Sequence, residues 1–138
     1  MTTTVYLNCN LFQGTSDQVQ SDAWMVVNNK TGKLTHVGQG NYSGSADNTV
    51  DLKGRYVMPG LVDAHTHMFM NPLTNKLYYL TETEGTLQAL ENLRAGLKAG
   101  LTYVRDCGAA FDVDVKLQKY RDVHSFVGPQ IMPSGRPM

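Results

Sequence analysis

Tyr56-Val57-Met58-Pro59-Gly60-Leu61-Val62-Asp63-Ala64-His65-Thr66-His67 reads as a short apolar strand that ends in two histidines spaced i, i+2. Side chains alternate faces along a strand, so His65 and His67 are expected to point the same way and to reach one ion together. Neutral imidazole is a good ligand for zinc and its first-row neighbours. The placement matters as much as the spacing. A histidine pair at the C-terminal end of an apolar strand, where that strand opens a βα series, sits where barrel enzymes carry their chemistry.

The βα series follows directly. Thr83 to Ala99 carries a helical pattern in which Leu87, Leu90, Leu93 and Leu97 are expected on one face. Thr83 or Thr86 is expected to cap the helix and Gly100 to stop it. Leu101-Thr102-Tyr103-Val104-Arg105-Asp106 is the next strand, closed by Cys107-Gly108. A second helix is expected from Asp114 to Ser125, with Leu117, Tyr120 and His124 sharing a face. Gly128 to Gly135 then starts a third strand. Strands alternating with helices of this length build parallel sheets and barrels.

Upstream, the pattern is β throughout. Thr3 to Leu7, Ala23 to Val27, Leu34 to Gly38 and Thr49 to Leu52 are separated by turn-forming stretches such as Asn28-Asn29-Lys30-Thr31-Gly32. A small meander forming one sheet of a sandwich is expected. The division is therefore residues 1–55, a partial β-sandwich domain, and residues 56–138, the beginning of a barrel domain.

Composition narrows the class. Twelve basic and twelve acidic side chains cancel, and neither sign is blocked into runs, so no nucleic-acid partner and no anionic membrane partner are expected. No apolar run approaches the roughly 20 residues of a membrane span, and the N-terminus lacks the form of a secretion signal. Two cysteines, Cys9 and Cys107, cannot build a disulfide framework. A cytoplasmic, reduced protein is the expectation.

The stretch Lys53-Gly54-Arg55-Tyr56-Val57-Met58-Pro59-Gly60-Leu61-Val62-Asp63-Ala64-His65-Thr66-His67 resembles the entry to the amidohydrolase superfamily, where it marks the first barrel strand and its His-x-His metal motif. Gly100-Leu101-Thr102-Tyr103-Val104-Arg105-Asp106-Cys107-Gly108 resembles the second-strand segment of the imidazolonepropionase-like and prolidase-like branch. Gly128-Pro129-Gln130-Ile131-Met132-Pro133-Ser134-Gly135-Arg136 is similar to that branch's third strand. The resemblance implies an α/β fold: the first two to three βα units of a metal-dependent (β/α)8 barrel, preceded by part of a small β-sandwich. It further implies one or two divalent metals, zinc by expectation, that promote hydrolysis of a C–N bond in an amide, peptide or cyclic amide. In that family the other ligands are a lysine on strand four, histidines on strands five and six, and an aspartate on strand eight that is also the general base. Only His65 and His67 carry over here as metal ligands, and no catalytic residue is assigned.

Two further residues draw attention. Asp63 either orients a ligating imidazole or caps the loop at the strand end. Arg105 either meets a substrate carboxylate or pairs with Asp106 to fix the loop. Met68, Phe69 and Met70 read as packing more than as pocket lining, Cys107 lacks a base to activate it, and His36 and His124 read as structural. From Tyr56 to Met138 there are 83 residues (138 − 56 + 1), against roughly 250 for a complete barrel. The expectation is an N-terminal fragment of a hydrolase of small amides or dipeptides, inactive alone, that self-associates through open strand edges. The alternatives are a non-catalytic self-associating fragment and a small metal-binding module.

Overall fold

The computed structural model describes residues 2–71 and 80–136. The chain forms two compact units, Met1–Pro59 and Gly60–Met138.

The first unit is a five-stranded sheet of β1 (Thr3–Phe12), β2 (Val19–Asn28), β3 (Lys33–Gln39), β4 (Asn48–Asp51) and β5 (Tyr56–Val57). The order is β3-β2-β1-β4, with β5 also on β1. The expected meander holds for β1 to β3, which pair antiparallel. It fails at β4, which crosses to the far side of β1 and runs parallel to it, as β5 does. The cause is local. The Asp47 carboxylate accepts the Thr3 amide at 2.7 Å and the Thr3 hydroxyl at 3.0 Å, anchoring the start of β4 beside β1. Asn8, in the left-handed region at φ 56°, kinks β1 between Tyr6 and Cys9. Its carbonyl then accepts the Gly54 amide at 2.7 Å, so one strand holds β4 before the kink and β5 after it. Cys9 and Leu11 from β1 meet Ala23 and Met25 from β2 in a small core.

The apolar stretch expected as one buried strand from Tyr56 to Val62 is divided between two sheets. Tyr56 and Val57 belong to β5, Met58-Pro59-Gly60 lies outside any strand, and β6 (Leu61–Thr66) opens the second unit. Pro59 has no N–H to give a ladder. A Cβ on Gly60 would sit 2.1 Å from the Thr102 side chain, so the backbone passes where only glycine fits. Nor is the stretch buried: Tyr56 is 77% exposed and Val62 65%.

The second unit is a parallel three-stranded sheet, β6-β7-β8, with β7 at Leu101–Asp106 and β8 at Gln130–Met132. Helix α1 (Glu82–Lys98) connects β6 to β7, and α2 (Val113–Val123) connects β7 to β8 after a 3-10 turn at Ala110–Asp112. α1 begins earlier than Thr83 because Thr81 caps it. The Thr81 hydroxyl accepts the Glu84 amide while the Glu84 carboxylate accepts the Thr81 amide, a reciprocal capping box. Its buried stripe is Gly85, Ala89 and Leu93, while Leu90 and Leu97 are half-buried and Leu87 faces out. In α2 only Leu117 of the expected inward trio is buried. Tyr120 is exposed and His124 has left the helix in extended backbone, its ring 4.5 Å from that of Tyr120. Phe69, Leu93, Val104, Val113, Leu117 and Ile131 make the core between sheet and helices. Among the described residues no helix is long and apolar enough to cross a membrane.

Candidate metal centre at the strand ends

His65 is the penultimate residue of β6 and His67 stands just beyond the strand, their ring centroids 5.4 Å apart at an interplanar angle of 76°. The β6–β7 register slips between Asp63 and Thr66, so the strand is irregular where it delivers the histidines. Bulges of this kind re-aim side chains near functional sites. The Asp63 carboxylate is engaged there, accepting the backbone amide of His65 at 3.0 Å. Asp63 therefore shapes the turn of the main chain; among the described contacts the imidazole with an orienting partner is His67, and the partner lies in the loop after β7.

That partner is the carbonyl oxygen of Gly108, 3.2 Å from His67 Nδ1. A carbonyl only accepts, so Nδ1 carries the proton and donates, which leaves the Nε2 lone pair free. The loops after β6 and β7 are tied together on either side of this contact. The Cys107 amide donates to the Thr66 carbonyl at 2.8 Å. Asp106, fully buried, accepts the Met68 amide on Oδ2 and the Gly108 amide on Oδ1, each at 2.8 Å. Burial pushes the Asp106 carboxyl above its ordinary value, aided by the charge of Asp114, while the two amides and His67 pull the other way.

Arg105 and Asp106 do not pair. The Arg105 guanidinium is exposed and reaches Met132 Sδ on β8 at 3.9 Å, and among the described residues it meets no carboxylate. Of the methionines and phenylalanine after the histidines, Phe69 is wholly core. Met68 and Met70 share a shallow depression with His65, His67 and Asn92, whose amide holds the carbonyls of both methionines at 2.8 Å. His36 is paired into β3 opposite Val26, and Cys107 is half-buried with no base beside it among its described contacts. Sequence reading missed Asp106 as the residue that joins the two loops. A signal was present in Asp106-Cys107-Gly108, since an aspartate two residues before a glycine favours a side-chain-to-amide turn. It also missed Asp114, buried in the first turn of α2, whose Oδ2 accepts the Ser134 and Gly135 amides at 2.8 Å.

The residues present fit part of a metal centre. Two imidazoles converge, one with its tautomer set, at the C-terminal end of a parallel sheet. Among the described residues no group of three or more His, Cys, Asp or Glu side chains gathers to complete it.

Three parallel strands joined by helices, with two histidines at the C-terminal end of the first, match the opening βα units of a (β/α)8 barrel. Comparison with known proteins agrees. The model of the amidohydrolase family matches residues 48–104. The 5-methylthioadenosine/S-adenosylhomocysteine deaminase of Bacillus thuringiensis (strain Al Hakam) is 32% identical over 73 residues, covering 51% of this chain and 16% of the relative. A solved Xaa-Pro dipeptidase with methionine in its active site superposes over 98% of this chain and 34% of its own, with TM-score 0.84 and 24% identity. A prolidase complexed with N-methylphosphonate-L-proline superposes over 97% of this chain and 32% of its own, with TM-score 0.82 and 26% identity. The chain is similar to amidohydrolases in sequence over residues 48–104 and in fold over nearly its whole length. It spans about a third of the length of these solved relatives and 16% of the deaminase.

Proposed function

We propose that this chain supplies the first-strand metal ligands, His65 and His67, of a hydrolase that cleaves a C–N bond in a small amide or dipeptide. The observation that carries the reading is the fixed His67 imidazole beside His65 at the C-terminal end of β6, its Nδ1 proton held by the Gly108 carbonyl. A divalent ion held there, with zinc suited to imidazole ligands, supplies Lewis-acid polarisation of a carbonyl and activation of water. The residues of the chain do the rest of what can be assigned. Gly108 keeps the ring nitrogen of His67 that faces away from it unprotonated. Arg105 is the residue we assign to a substrate carboxylate, a reading supported by its exposure and by the absence of an acidic partner among the described residues. Relatives named for deamination and for Xaa-Pro dipeptide cleavage share attack on a carbon bonded to nitrogen, which favours C–N over C–O hydrolysis.

A two-histidine set is short of the three or more protein ligands of a hydrolytic zinc centre. The 138-residue polypeptide by itself is therefore expected to bind metal without turning over substrate. Elemental mass spectrometry on the purified, zinc-equilibrated chain should find about one ion per chain, lost in the His65→Ala/His67→Ala variant. No uptake by the unaltered chain would overturn the expectation that these two histidines hold an ion without further ligands. Turnover of a dipeptide panel that His65→Ala abolishes would overturn the expected inactivity.

A further inference from the structure

We propose that Asp106 is a positioning residue for His67, acting through the main chain of the two loops it joins. Its two carboxylate oxygens hold two amides that flank one contact. Oδ2 holds the amide of Met68, the residue that follows His67, and Oδ1 holds the amide of Gly108, the residue whose carbonyl meets His67 Nδ1. The carboxylate is fully buried at the end of β7, with no solvent to replace either bond. Releasing Met68 frees the backbone that carries the imidazole, and releasing Gly108 frees the acceptor. Either way the 3.2 Å hydrogen bond that keeps the proton on Nδ1 loses its support.

Charge and valence point to an aspartate specifically. An ionised carboxylate offers an acceptor on each side, whereas an asparagine offers one oxygen and an NH2 group that would face an amide donor. Asp106→Asn must therefore break one of the two ties while changing shape very little. Thr81 provides a stability control in the same unit: its amide and hydroxyl close the cap of α1 with Glu84, and neither is bonded to Asp106, Met68 or Gly108.

The inference gains its functional meaning from the reading of His67 as a metal ligand, yet its test does not need the metal. Histidine ring-nitrogen NMR on the metal-free, full chain at about pH 8.5, where imidazoles are neutral, reads the tautomer directly. The unaltered chain should show His67 protonated on Nδ1. Asp106→Asn should move population to the Nε2-protonated form, and zinc added alone should bind about 10- to 100-fold more weakly, the usual cost of losing an outer partner of a ligating histidine. Thr81→Ala should lower the melting temperature and leave the His67 tautomer unchanged. The proposal fails if the unaltered chain carries the His67 proton on Nε2, a result that needs no variant to fold. It fails equally if Asp106→Asn leaves tautomer and zinc affinity as they were, or if Thr81→Ala moves both as far. An Nδ1 tautomer that responds to Asp106→Asn in a chain that takes up no zinc would support the positioning role and remove the metal reading alone.

Discussion

At Gly85 two effects of known size oppose each other. An alanine in a helix interior is worth up to about 1 kcal/mol over glycine. A Cβ there, however, would lie 1.9 Å from the Phe69 ring, which is fully buried and has no room to retreat. Overpacking a core costs about 1–3 kcal/mol, so Gly85→Ala should destabilise the second unit, read as a lower melting temperature. Phe69→Ala should cost about 3–5 kcal/mol. In the Phe69→Ala background the sign should invert, with Gly85→Ala stabilising, because the ring it struck is gone. Additive losses in a thermal-melt double-mutant cycle would contradict this contact. The sequence marked Phe69 as packing on its apolar neighbourhood alone. It could not pair Phe69 with Gly85, because the residue opposite a ring is a property of how a loop returns over a helix.

At the level of elements, α1 shows how far local rules reach. Its length and its end before Gly100 follow from spacing and from Gly100 itself, at φ 99°. Its start was set by a reciprocal pair, Thr81 with Glu84, that competed with two other threonines nearby. Thr81→Ala should cost about 1 kcal/mol. The Thr81 amide, and then its hydroxyl, hold the Glu84 carboxyl below its ordinary value. A carboxyl lowered on folding adds stability above its unfolded pKa and loses that contribution as pH falls through the folded value. The gap in melting temperature between the unaltered chain and Glu84→Gln should therefore close on acidification below about pH 4. A gap unchanged between neutral and acid pH would show that the charge of Glu84 takes no part in the cap. The stripe of leucines misled by one position. Leu87 lies outside the arc that Gly85, Ala89 and Leu93 present inward, and a leucine at helical spacing does not reveal that small residues let the loop of Phe69 close down on the helix.

For the whole molecule, strand edges decide solution behaviour. β3 bounds the first sheet with exposed Leu34 and Val37, and the second sheet ends at β6 and β8, near exposed Val62 and Val127. Unpaired backbone beside apolar side chains favours association. Light scattering on the polypeptide should therefore report species heavier than one chain, and a monodisperse monomer would contradict this. Alternation and helical spacing by themselves specified a β unit followed by βα units, and strand-end histidines at i, i+2 pointed to the chemistry we propose, because these depend on neighbours along the chain. Folding alone decided that the apolar run through Pro59 divides between two sheets and that β4 crosses to lie parallel with β1. It also decided that the carbonyl of Gly108, some forty residues beyond the histidines and tied by Asp106, meets Nδ1 of His67. Such contacts arise from which backbone amides are left unsatisfied when loops meet, and a buried carboxylate meets that need wherever topology brings it.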